Sequence, residues 1–474
     1  MKKMVKCAAF FTSGLIMLLT FTACGEKKQE SFTSISVSSE EDTQGSKVSD
    51  ETYNNLFDRS IVHNIDIEIS EEDLLDQNEN PLDKTKYRAD VIIDGERFEN
   101  VSFATKGSSS LIIPYTNGST RFPYKLNFGK YEKKQSYYGL DKLNLSGFYS
   151  DPSCMKDWLA FRIMEESGIS APLTSYVWLT INGEDRGLYL ALEEIGDSWM
   201  ARTGRQTGEL YKPESPVSNM NFGGAEDAHI IKEKGLLAYF LERIERMGSP
   251  ADTGSALVYL DDDAESYPDI FDNAETKVND DDKTRLIDSL KMLSDPERCK
   301  SVLDTEEVIR YFAAHNFVLS SDSYTGLPAH NYYLCEEDGV MSIFPWDYNS
   351  AFGENLGKLH PELTRENIIN WLVDEPLYDT NPQERPLWAW IPADEESRKQ
   401  YHAVLDELLK NYFESGRFEE EINRMYSLIE PYKAKDPTSF STMEETLADF
   451  QKLKAFCMER AAAVRSQIGE DRIQ

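Results

Sequence analysis

Residues 316–353, NFVLSSDSYTGLPAHNYYLCEEDGVMSIFPWDYNSAFG, hold the pattern that decides the fold of this chain. An apolar run of helical period ends shortly before Asp322. Two short apolar segments of strand character follow, and Asn331 opens the first while Asp347 comes directly after the second. The segment therefore predicts a helix, then a hairpin, with polar side chains at the strand ends.

These polar side chains have the chemistry of a site for a hard cation. Carboxylate and amide oxygens in loops at strand ends suit Mg²⁺, which takes oxygen ligands and keeps positions open for phosphate. Asp322, Asn331 and Asp347 also follow the order used in phosphoryl transfer, where a base for the hydroxyl precedes two metal ligands. The alternative is that they are ordinary turn residues, because Asp and Asn satisfy their own backbone in turns.

The first half of the chain predicts a mostly antiparallel sheet with one or two helices. Asp94-Gly95 and Asn182-Gly183 are typical of tight hairpin turns, whose two central residues need positive φ. A helix is predicted at 153–167, where apolar residues recur at helical spacing. The predicted strands are 65–69, 87–93, 96–101, 122–128, 177–181 and 187–192.

The second half predicts helices around the hairpin at 332–345. Helical periodicity is found in 283–293, in 305–319 and from 395 to the C-terminus. Residues 247–284 hold long acidic runs that match no EF-hand loop, so they predict a solvated insertion. The fold class predicted is α+β, and metal ligands on a hairpin within the helical half match the layout of a two-lobed kinase-like fold.

The N-terminus predicts an export signal and a lipid anchor. Lysines precede an apolar stretch that is too short to span a membrane, so residues 1–23 are interpreted as a signal peptide. Small residues before Cys24 are similar to a bacterial lipobox, which would make Cys24 the lipidated first residue of the mature protein. Residues 24–58 predict a flexible acidic tether, and 59–474 one domain at the outer face of the cell membrane. An ordinary cleaved signal peptide is the alternative.

The charge of the chain limits its partners. The formal net charge of −34 argues against nucleic-acid binding, which needs basic patches. It also argues against an electrostatic hold on anionic lipid, so membrane contact is expected through the lipid anchor only. An acidic enzyme favours basic partners, although solubility explains the charge equally well.

The cysteines and histidines predict neither a disulfide framework nor a zinc site. No C-x-x-C pair occurs, and the histidines lack ligand spacing. The cysteines beyond the lipobox are expected to be mostly free and buried; they are Cys154, Cys299, Cys335 and Cys457.

Several stretches share a common order and spacing from about residue 62 to the end of the chain. They are ATKGSS at 104–109, FPYKL at 122–126, LNL at 143–145, DPS at 151–153, MKDWLA at 155–160, INGEDRGLY within 176–189, LYK at 210–212, the block 322–353 and ER at 459–460. Together they resemble the CotH kinase family, the atypical protein kinases named for a spore-coat protein. The resemblance implies a secreted or spore-associated kinase-like fold that uses ATP and Mg²⁺ to phosphorylate protein hydroxyls.

The resemblance implies cations and hydroxyls that hold the nucleotide. Lys106 and Ser108 lie in a turn suited to cradling phosphate. The family more often has RGNS here. Lys106 keeps the positive charge of that arginine but lacks its two-pronged hydrogen-bonding geometry. Lys125, on a strand, would reach the α- and β-phosphates, and Lys212 is a second candidate cation. Judged alone, the same residues read as a small-residue turn and as a surface lysine on an edge strand.

Lys125 is expected to have an acidic partner. In protein kinases the strand lysine pairs with a glutamate on a helix, which points here to the helix at 153–167. Asp157, Glu165 and Glu166 are equally available there, and the sequence does not choose among them.

The resemblance also implies roles for the polar residues of the opening segment. Asp322 would accept or orient the proton of the attacking hydroxyl. Asn331 and Asp347 would hold the metal, and Asp347 is the second residue expected to be catalytic. Asn349 stands where many relatives carry a second Asp, which lowers the local negative charge and leaves open whether one or two ions bind.

These observations favour an exported, lipid-anchored phosphotransferase that moves the γ-phosphate of ATP to Ser or Thr hydroxyls of a protein, with a basic Ser-rich acceptor suited to its charge. Two other functions remain open. Because ATP is scarce outside the cell membrane, the same fold could serve as a non-catalytic surface module for binding or assembly. The abundant carboxylates also permit a glycoside hydrolase, although no spacing selects a pair.

Overall fold

The computed structural model describes residues 54–214 and 248–470, with residues 233, 234, 242, 245 and 246 between these ranges. The predicted signal peptide, the proposed lipidation site Cys24 and most of the tether lie outside the described residues. The 3-10 helix Asn54–Phe57 buries Leu56 and Phe57, so the fold includes residues that were expected to be tether. Within the described ranges, no helix has both the length and the apolar character that a membrane crossing requires.

The described strands form a barrel and a smaller sheet. The barrel strands are β1 (Val62–Ile69), β2 (Tyr87–Ile93), β3 (Glu96–Thr105), β4 (Tyr124–Asn127), β5 (Lys142–Ser146), β6 (Thr174–Ile181) and β7 (Glu184–Glu193). The smaller sheet contains β8 (Glu209–Tyr211), β9 (Tyr332–Glu337) and β10 (Val340–Pro345). Most of these strands lie where the alternating pattern predicted them.

The barrel closes in the order β1-β2-β3-β4-β5-β7-β6. Neighbouring strands are antiparallel except β1 and β6, which pair in parallel with Val62 opposite Tyr176. The turns Asp94-Gly95 and Asn182-Gly183 have positive φ at each position, as predicted. The mostly antiparallel sheet is therefore confirmed, but its closure was not predicted. Closure leaves no free strand edge for pairing with another chain.

Alternation explains how the barrel acquires a core. In β1, Ile65 and Ile67 point inward and are fully or almost fully buried, while Asp66 and Glu68, which alternate with them, are more exposed. Phe103 on β3 belongs to the same interior cluster. One face of each strand thus fills the barrel, as expected from the side-chain period of two.

The helices dominate the second half of the chain. The described α-helices are α1 (Glu71–Glu79), α2 (Ser109–Thr116), α3 (Lys156–Glu166), α4 (Asp197–Thr203), α5 (Pro250–Thr253), α6 (Pro268–Phe271), α7 (Asp280–Leu293), α8 (Thr305–Val318), α9 (Glu354–Leu359), α10 (Arg365–Ile369), α11 (Pro386–Ala393), α12 (Glu395–Leu408), α13 (Arg417–Lys433) and α14 (Met443–Glu470). Further 3-10 helices are Pro81–Asp83, Ala264–Ser266, Cys299–Val302 and Pro382–Glu384, and a π-helix spans Leu409–Glu414. The mixed helix-and-sheet class is confirmed.

A hydrophobic cluster separate from the barrel interior joins the helices to the smaller sheet. Helix α8 is buried along most of its length, and β9 and β10 pack beside it. The cysteines of the described region, Cys154, Cys299, Cys335 and Cys457, all lie in this cluster and are free and buried, as predicted. The smaller sheet has the order β10-β9-β8 with antiparallel pairing. The β9–β10 hairpin therefore lies against the helices and not in the barrel.

The acidic segment differs from the solvated insertion that was predicted. Leu257, Tyr267 and Ile270 are fully buried in the helical cluster. The side chain of Asn279 caps α7, and the acidic residues 280–282 form the first turn of that helix. Negative charge is favourable at a helix N-terminus, which explains this part of the acidic run.

A buried ion pair joins the barrel to the loop after α13. Arg121 Nη1 donates to Asp436 at 2.9 Å and to Thr438 Oγ1 at 2.7 Å, and Arg121 Nε donates to the carbonyl of Gly147 at 2.8 Å. The backbone N–H of Leu188 on β7 donates to the same Asp436 carboxylate at 3.0 Å. The Arg121 and Asp436 side chains are only 2% and 1% exposed. This pair is desolvated but has several hydrogen bonds, which a buried pair requires.

Gly187 gives the Asp436 carboxylate room to approach β7. A Cβ added at Gly187 would lie 2.0 Å from Asp436 Oδ1, and the φ of Gly187 is +93°. Replacement of Gly187 by alanine should therefore destabilise the fold by about 1–2 kcal/mol through the backbone and by about a further 1–3 kcal/mol through overpacking. Urea unfolding followed by circular dichroism measures the sum.

Gly95 is the matched control for this substitution. Its φ is +91°, and a Cβ there would meet nothing within 4 Å. Gly95→Ala should show the backbone cost alone. Equal losses for the two variants would contradict a close contact between Gly187 and Asp436.

Candidate functional site

A cleft lies between the barrel and the helical half. Its barrel wall includes Lys106 and Gly107 after β3 and residues 146–149 at the end of β5. Its other wall includes Asp157 of α3 and residues 346, 347 and 349, which follow β10. The space between the walls is about 670 Å³, part of it open to solvent. The enclosed part is only about 50 Å³, so the cleft is a narrow groove that opens to solvent.

Asp347 lies at the start of the loop after β10. Its φ is 51°, a left-handed conformation that non-glycine residues adopt rarely. Burial raises the pKa of the Asp347 carboxyl above its ordinary value and the charge of Asp322 adds to this, while Lys106 and His330 oppose it. A charged Asp347 at this buried position therefore needs a cation nearby.

Asp157 stands beside Asp347 and was not recognised as a site residue from the sequence. Its carboxylate accepts the backbone N–H of Tyr348 at 2.7 Å. Burial, and then the charge of Asp347, raise the pKa of Asp157 well above its ordinary value. The MKDWLA stretch contained it, but only as one possible partner of Lys125. Two close, buried carboxyl groups favour either a shared proton or a bound cation.

Lys106 is the cation that faces this pair. Burial lowers the pKa of Lys106, and the charges of Glu194 and Asp347 oppose that shift. Its Nζ lies 5.1 Å from the centroid of the Trp346 ring, a cation–π geometry. The charges of two carboxylates therefore act on Lys106, one directly after the barrel strand β7 and one in the hairpin loop.

The turn after Lys106 has the small residues expected of a phosphate cradle. Gly107 has a φ of +91°, and a Cβ there would lie 2.5 Å from Ser110 Oγ. Ser108 is at the N-cap position of α2. Ser110, the second residue of that helix, lines the cleft. Of the serines in this turn, Ser110 lines the cleft in place of the predicted Ser108.

Lys125 pairs with Glu194, and not with a residue of α3. Lys125 Nζ donates to Glu194 Oε1 at 2.7 Å, and Asn144 Nδ2 donates to the other carboxylate oxygen. Burial alone would raise the pKa of Glu194, but Lys125 and Lys106 lower it to about 2. The predicted helical partner was wrong because Glu194 directly follows β7, close to Asn144 on the neighbouring strand β5.

The other acidic residues considered for Lys125 are engaged elsewhere. Glu165 binds Arg59 and Arg162, and Glu166 binds Arg162 and Arg417. These pairs connect α3 to Arg59, which precedes β1, and to Arg417, the first residue of α13. They therefore hold α3 in place rather than contribute to the cleft.

Lys212 follows β8 and forms an ion pair with Glu214. Burial would lower the pKa of Lys212, but the charge of Glu214 and their hydrogen bond outweigh it and raise the pKa. The charge of Lys212 also acts on Asp347 and Lys106. Lys212 therefore belongs to the charged surroundings of the site, although it is not among the residues lining the cleft described above.

Asp322 and Asn331 come together in the loop between α8 and β9. Asn331 Nδ2 donates to the backbone carbonyl of Asp322 at 2.8 Å. His330 Nε2 lies 2.7 Å from Asp322 Oδ1, a contact that the sequence gave no reason to expect. Burial opposes a charged His330, but Asp322 outweighs it and raises the pKa of the imidazole. Asp322 acts on Asp347 through its charge, whereas neither Asp322 nor Asn331 lines the cleft.

The oxygen donors of the cleft fit Mg²⁺ in kind. Asp347, Asp157 and Asn349 all line it, and Asn349 Oδ1 accepts a hydrogen bond from Ser350 at 2.9 Å. Across residues 54–214 and 248–470, no three His, Cys, Asp or Glu side chains converge tightly enough to form a metal cluster of their own. A pair of carboxylates with an amide oxygen is the donor set of an ion that also takes water and phosphate oxygens.

Comparisons with known proteins bear on the family of this chain. A family model described as CotH kinase protein matches residues 103–464. The inner spore coat protein H of Bacillus subtilis (strain 168) is 24% identical over 323 residues, which are 68% of this chain and 76% of that protein. The inner spore coat protein H-like protein of the same organism is 28% identical over 113 residues, 24% of this chain and 34% of that protein.

The chain also has a weak likeness to a solved kinase structure. The crystal structure of a Helicobacter pylori proinflammatory kinase, CtkA, is 12% identical and matches 72% of this chain and 94% of that chain, with a TM-score of 0.26. A TM-score of this size means that little of the two folds superposes.

Proposed function

Because the chain belongs to the CotH kinase protein family, we propose that it is a phosphotransferase that moves the γ-phosphate of ATP to Ser or Thr hydroxyls of a protein. The observation that supports this best is the buried pair Asp157 and Asp347 facing Lys106 in one cleft. Phosphoryl transfer requires mainly the positioning of reactants and the neutralisation of charge. The cleft offers oxygen donors for a divalent ion and cations for phosphate.

The basic residues would bind the nucleotide. The hydrogen bond to Glu194 holds the Lys125 ammonium group in place before any phosphate arrives, and the charge of Lys106 acts on the same carboxylate. Lys212 adds positive charge near Asp347, and Ser110 with Gly107 gives a hydroxyl and close backbone approach. We assign Lys106 and Lys125 to the phosphates, as strand lysines act in protein kinases.

The acidic and amide residues would hold Mg²⁺ and the acceptor hydroxyl. Asp347, Asp157 and Asn349 fit the ion, and Asn331 stands close to Asp322 as a further candidate ligand. The ion, when bound, neutralises charge on the phosphates. Asp322 accepts the proton of the attacking hydroxyl while the new oxygen–phosphorus bond forms and the bond to the β-phosphate oxygen breaks, which leaves phosphoserine or phosphothreonine and ADP.

In this proposal the barrel and the helical half are the two lobes of a kinase-like protein. The cleft lies between them, with cations from the barrel and carboxylates from the hairpin loop and α3. The net charge of −34 suits a basic, Ser-rich acceptor. We further propose export and lipid anchoring through Cys24, in keeping with a relative named as a spore coat protein.

Incubation with γ-labelled ATP and Mg²⁺ tests the proposed function. The protein should transfer label to Ser or Thr of a basic peptide more readily than to an acidic peptide, as read by mass spectrometry. Free nucleotide at 100 times its dissociation constant should also add about 2.7 kcal/mol to stability. Absence of both label and thermal shift would favour the non-catalytic surface module.

Lys125→Met should weaken the use of ATP. A hydrogen bond to a charged group contributes about 1.5–3 kcal/mol, so KM for ATP should rise about 10- to 100-fold. Lys130→Met, at an exposed position just after β4, is the control and should leave KM unchanged. A normal KM together with a lowered melting temperature would mean that Lys125 serves only as the partner of Glu194.

A further inference from the structure

His315 is a fully enclosed imidazole between the loops that carry Asp322 and Asp347. It lies on α8 and is 1% exposed. Its Nδ1 is 2.8 Å from Tyr348 Oη, and its Nε2 is 2.7 Å from Thr325 Oγ1. The ring also stacks on Tyr311, with centroids 5.3 Å apart and planes 9° apart. Each edge of the imidazole thus contacts a different loop.

The hydrogen bonds fix one direction of donation. Burial lowers the pKa of His315 to about 3, so the ring is neutral and has one donor and one acceptor. Tyr348 Oη donates to Tyr311 Oη at 3.3 Å, so it accepts from His315 Nδ1. The His315 Nε2 lone pair then accepts from Thr325. A neutral ring in one tautomer satisfies both partners.

The contacts continue to the backbone of Asn331. Tyr311 Oη lies 3.4 Å from Ser323 Oγ, and Ser323 Oγ lies 3.4 Å from the carbonyl oxygen of Asn331. These longer contacts are weaker than the bonds of His315 itself. All of the side chains in this chain of contacts are fully or almost fully buried. The network therefore reaches the segment that places Asn331.

The two partners of His315, Tyr348 and Thr325, are close in sequence to proposed site residues. Tyr348 follows Asp347 directly, and its backbone N–H donates to Asp157 at 2.7 Å. Thr325 lies three residues after Asp322 on the same loop. His315 is the side chain that contacts both Tyr348 and Thr325, and all three are buried in the helical half.

We propose that His315 is a positioning residue that sets the distance between Asp322 and the pair Asp347 and Asp157. The inference rests on the proposed function, because it concerns the same site. His315 contacts neither nucleotide nor acceptor. It holds Tyr348 and Thr325 at a fixed separation, and the site carboxylates follow their neighbours in the chain.

His315→Leu tests this role. Mg²⁺ affinity, measured by calorimetry with magnesium chloride alone, should fall about tenfold, and kcat should fall by a similar factor, as is usual for residues that orient ligands without touching the ion. KM for ATP should stay nearly unchanged, because Lys106 and Lys125 are not moved. His315→Gln retains a donor and an acceptor and should recover much of the loss.

Phe317→Leu is the control for a purely structural effect. Phe317 is buried on the same helix and packs on Phe413, with ring centroids 4.7 Å apart. The Phe317→Leu substitution should lower the melting temperature and leave Mg²⁺ affinity and kcat unchanged. Equal loss of Mg²⁺ affinity in Phe317→Leu and His315→Leu, or normal affinity in His315→Leu, would overturn the inference.

Two results separate this inference from the proposed function. If the wild type binds Mg²⁺ but transfers no phosphate, the proposed function fails and Mg²⁺ affinity alone decides the role of His315. If the wild type binds no Mg²⁺, both are overturned. Should His315→Leu fail to fold, Thr325→Val removes the donor to Nε2 and should show the same loss of affinity on a smaller scale; normal affinity there would overturn the inference.

Discussion

Asp347→Asn is expected to abolish most phosphoryl transfer, by roughly two to three orders of magnitude, the loss seen when one preorganised electrostatic group is removed. The substitution keeps the shape of the side chain and removes the charge that faces Lys106. It also removes the repulsion that helps to raise the pKa of Asp157, so the fold should not lose stability. Single-turnover transfer of labelled phosphate and a melting curve measure the two effects.

Asp338→Asn is the matched control for Asp347→Asn. Asp338 lies in the β9–β10 turn, is exposed and has the same left-handed backbone, with a φ of 51°. It is the same chemical change on the same hairpin, away from the cleft, and it should leave transfer at the wild-type rate. If Asp347→Asn transfers phosphate at a rate within about twofold of wild type, this carboxylate has no role in stabilising the transition state.

Asp436→Ala is expected to cause the largest loss of stability, about 3–5 kcal/mol, which is typical when one member of a buried ion pair is removed. The Arg121 guanidinium would remain desolvated without its counter-charge, and the N–H of Leu188 would lose its acceptor. The free energy of unfolding, from urea denaturation, checks this value. Since Arg121 and Phe440 both line the cleft, nucleotide affinity should fall as well.

Glu68→Ala is the control on the surface of the barrel. Glu68 binds Arg97 at 2.8 Å, but these side chains are 55% and 42% exposed. Water replaces such a pair at little cost, so the unfolding free energy should change far less than in Asp436→Ala. A loss of equal size in both variants would show that desolvation of Arg121 is not the cause.

Local patterns in the sequence were sufficient for the strands and turns but not for their closure into a barrel. Alternation placed β1 and β2, and the Asp94-Gly95 dipeptide placed the turn into β3. The parallel pairing of β1 with β6 joins residues more than a hundred positions apart, and no local pattern encodes it. Most acidic side chains of residues 247–284 are exposed, as predicted, but the burial of Tyr267 was missed because it depends on tertiary packing.

The site was predicted only in part, because some of its contacts join residues that are far apart in the sequence. Asp347, Asn349 and Lys106 meet in one cleft, as their motifs indicated. Glu194 was missed because its pairing with Lys125 depends on the order of β5 and β7 in the barrel. Asp157 was considered only for Lys125, since nothing local shows that α3 points at the hairpin loop.

The location of the four thiols of the described region makes them a probe of how the protein opens. Cys154, Cys299, Cys335 and Cys457 all lie in the helical cluster, and burial raises the pKa of each. An alkylating reagent can reach them only when that cluster opens, whereas loosening of the barrel interior leaves them unmodified. Alkylation rates, assigned peptide by peptide, would therefore separate the unfolding of one half of the molecule from that of the other without any engineered label.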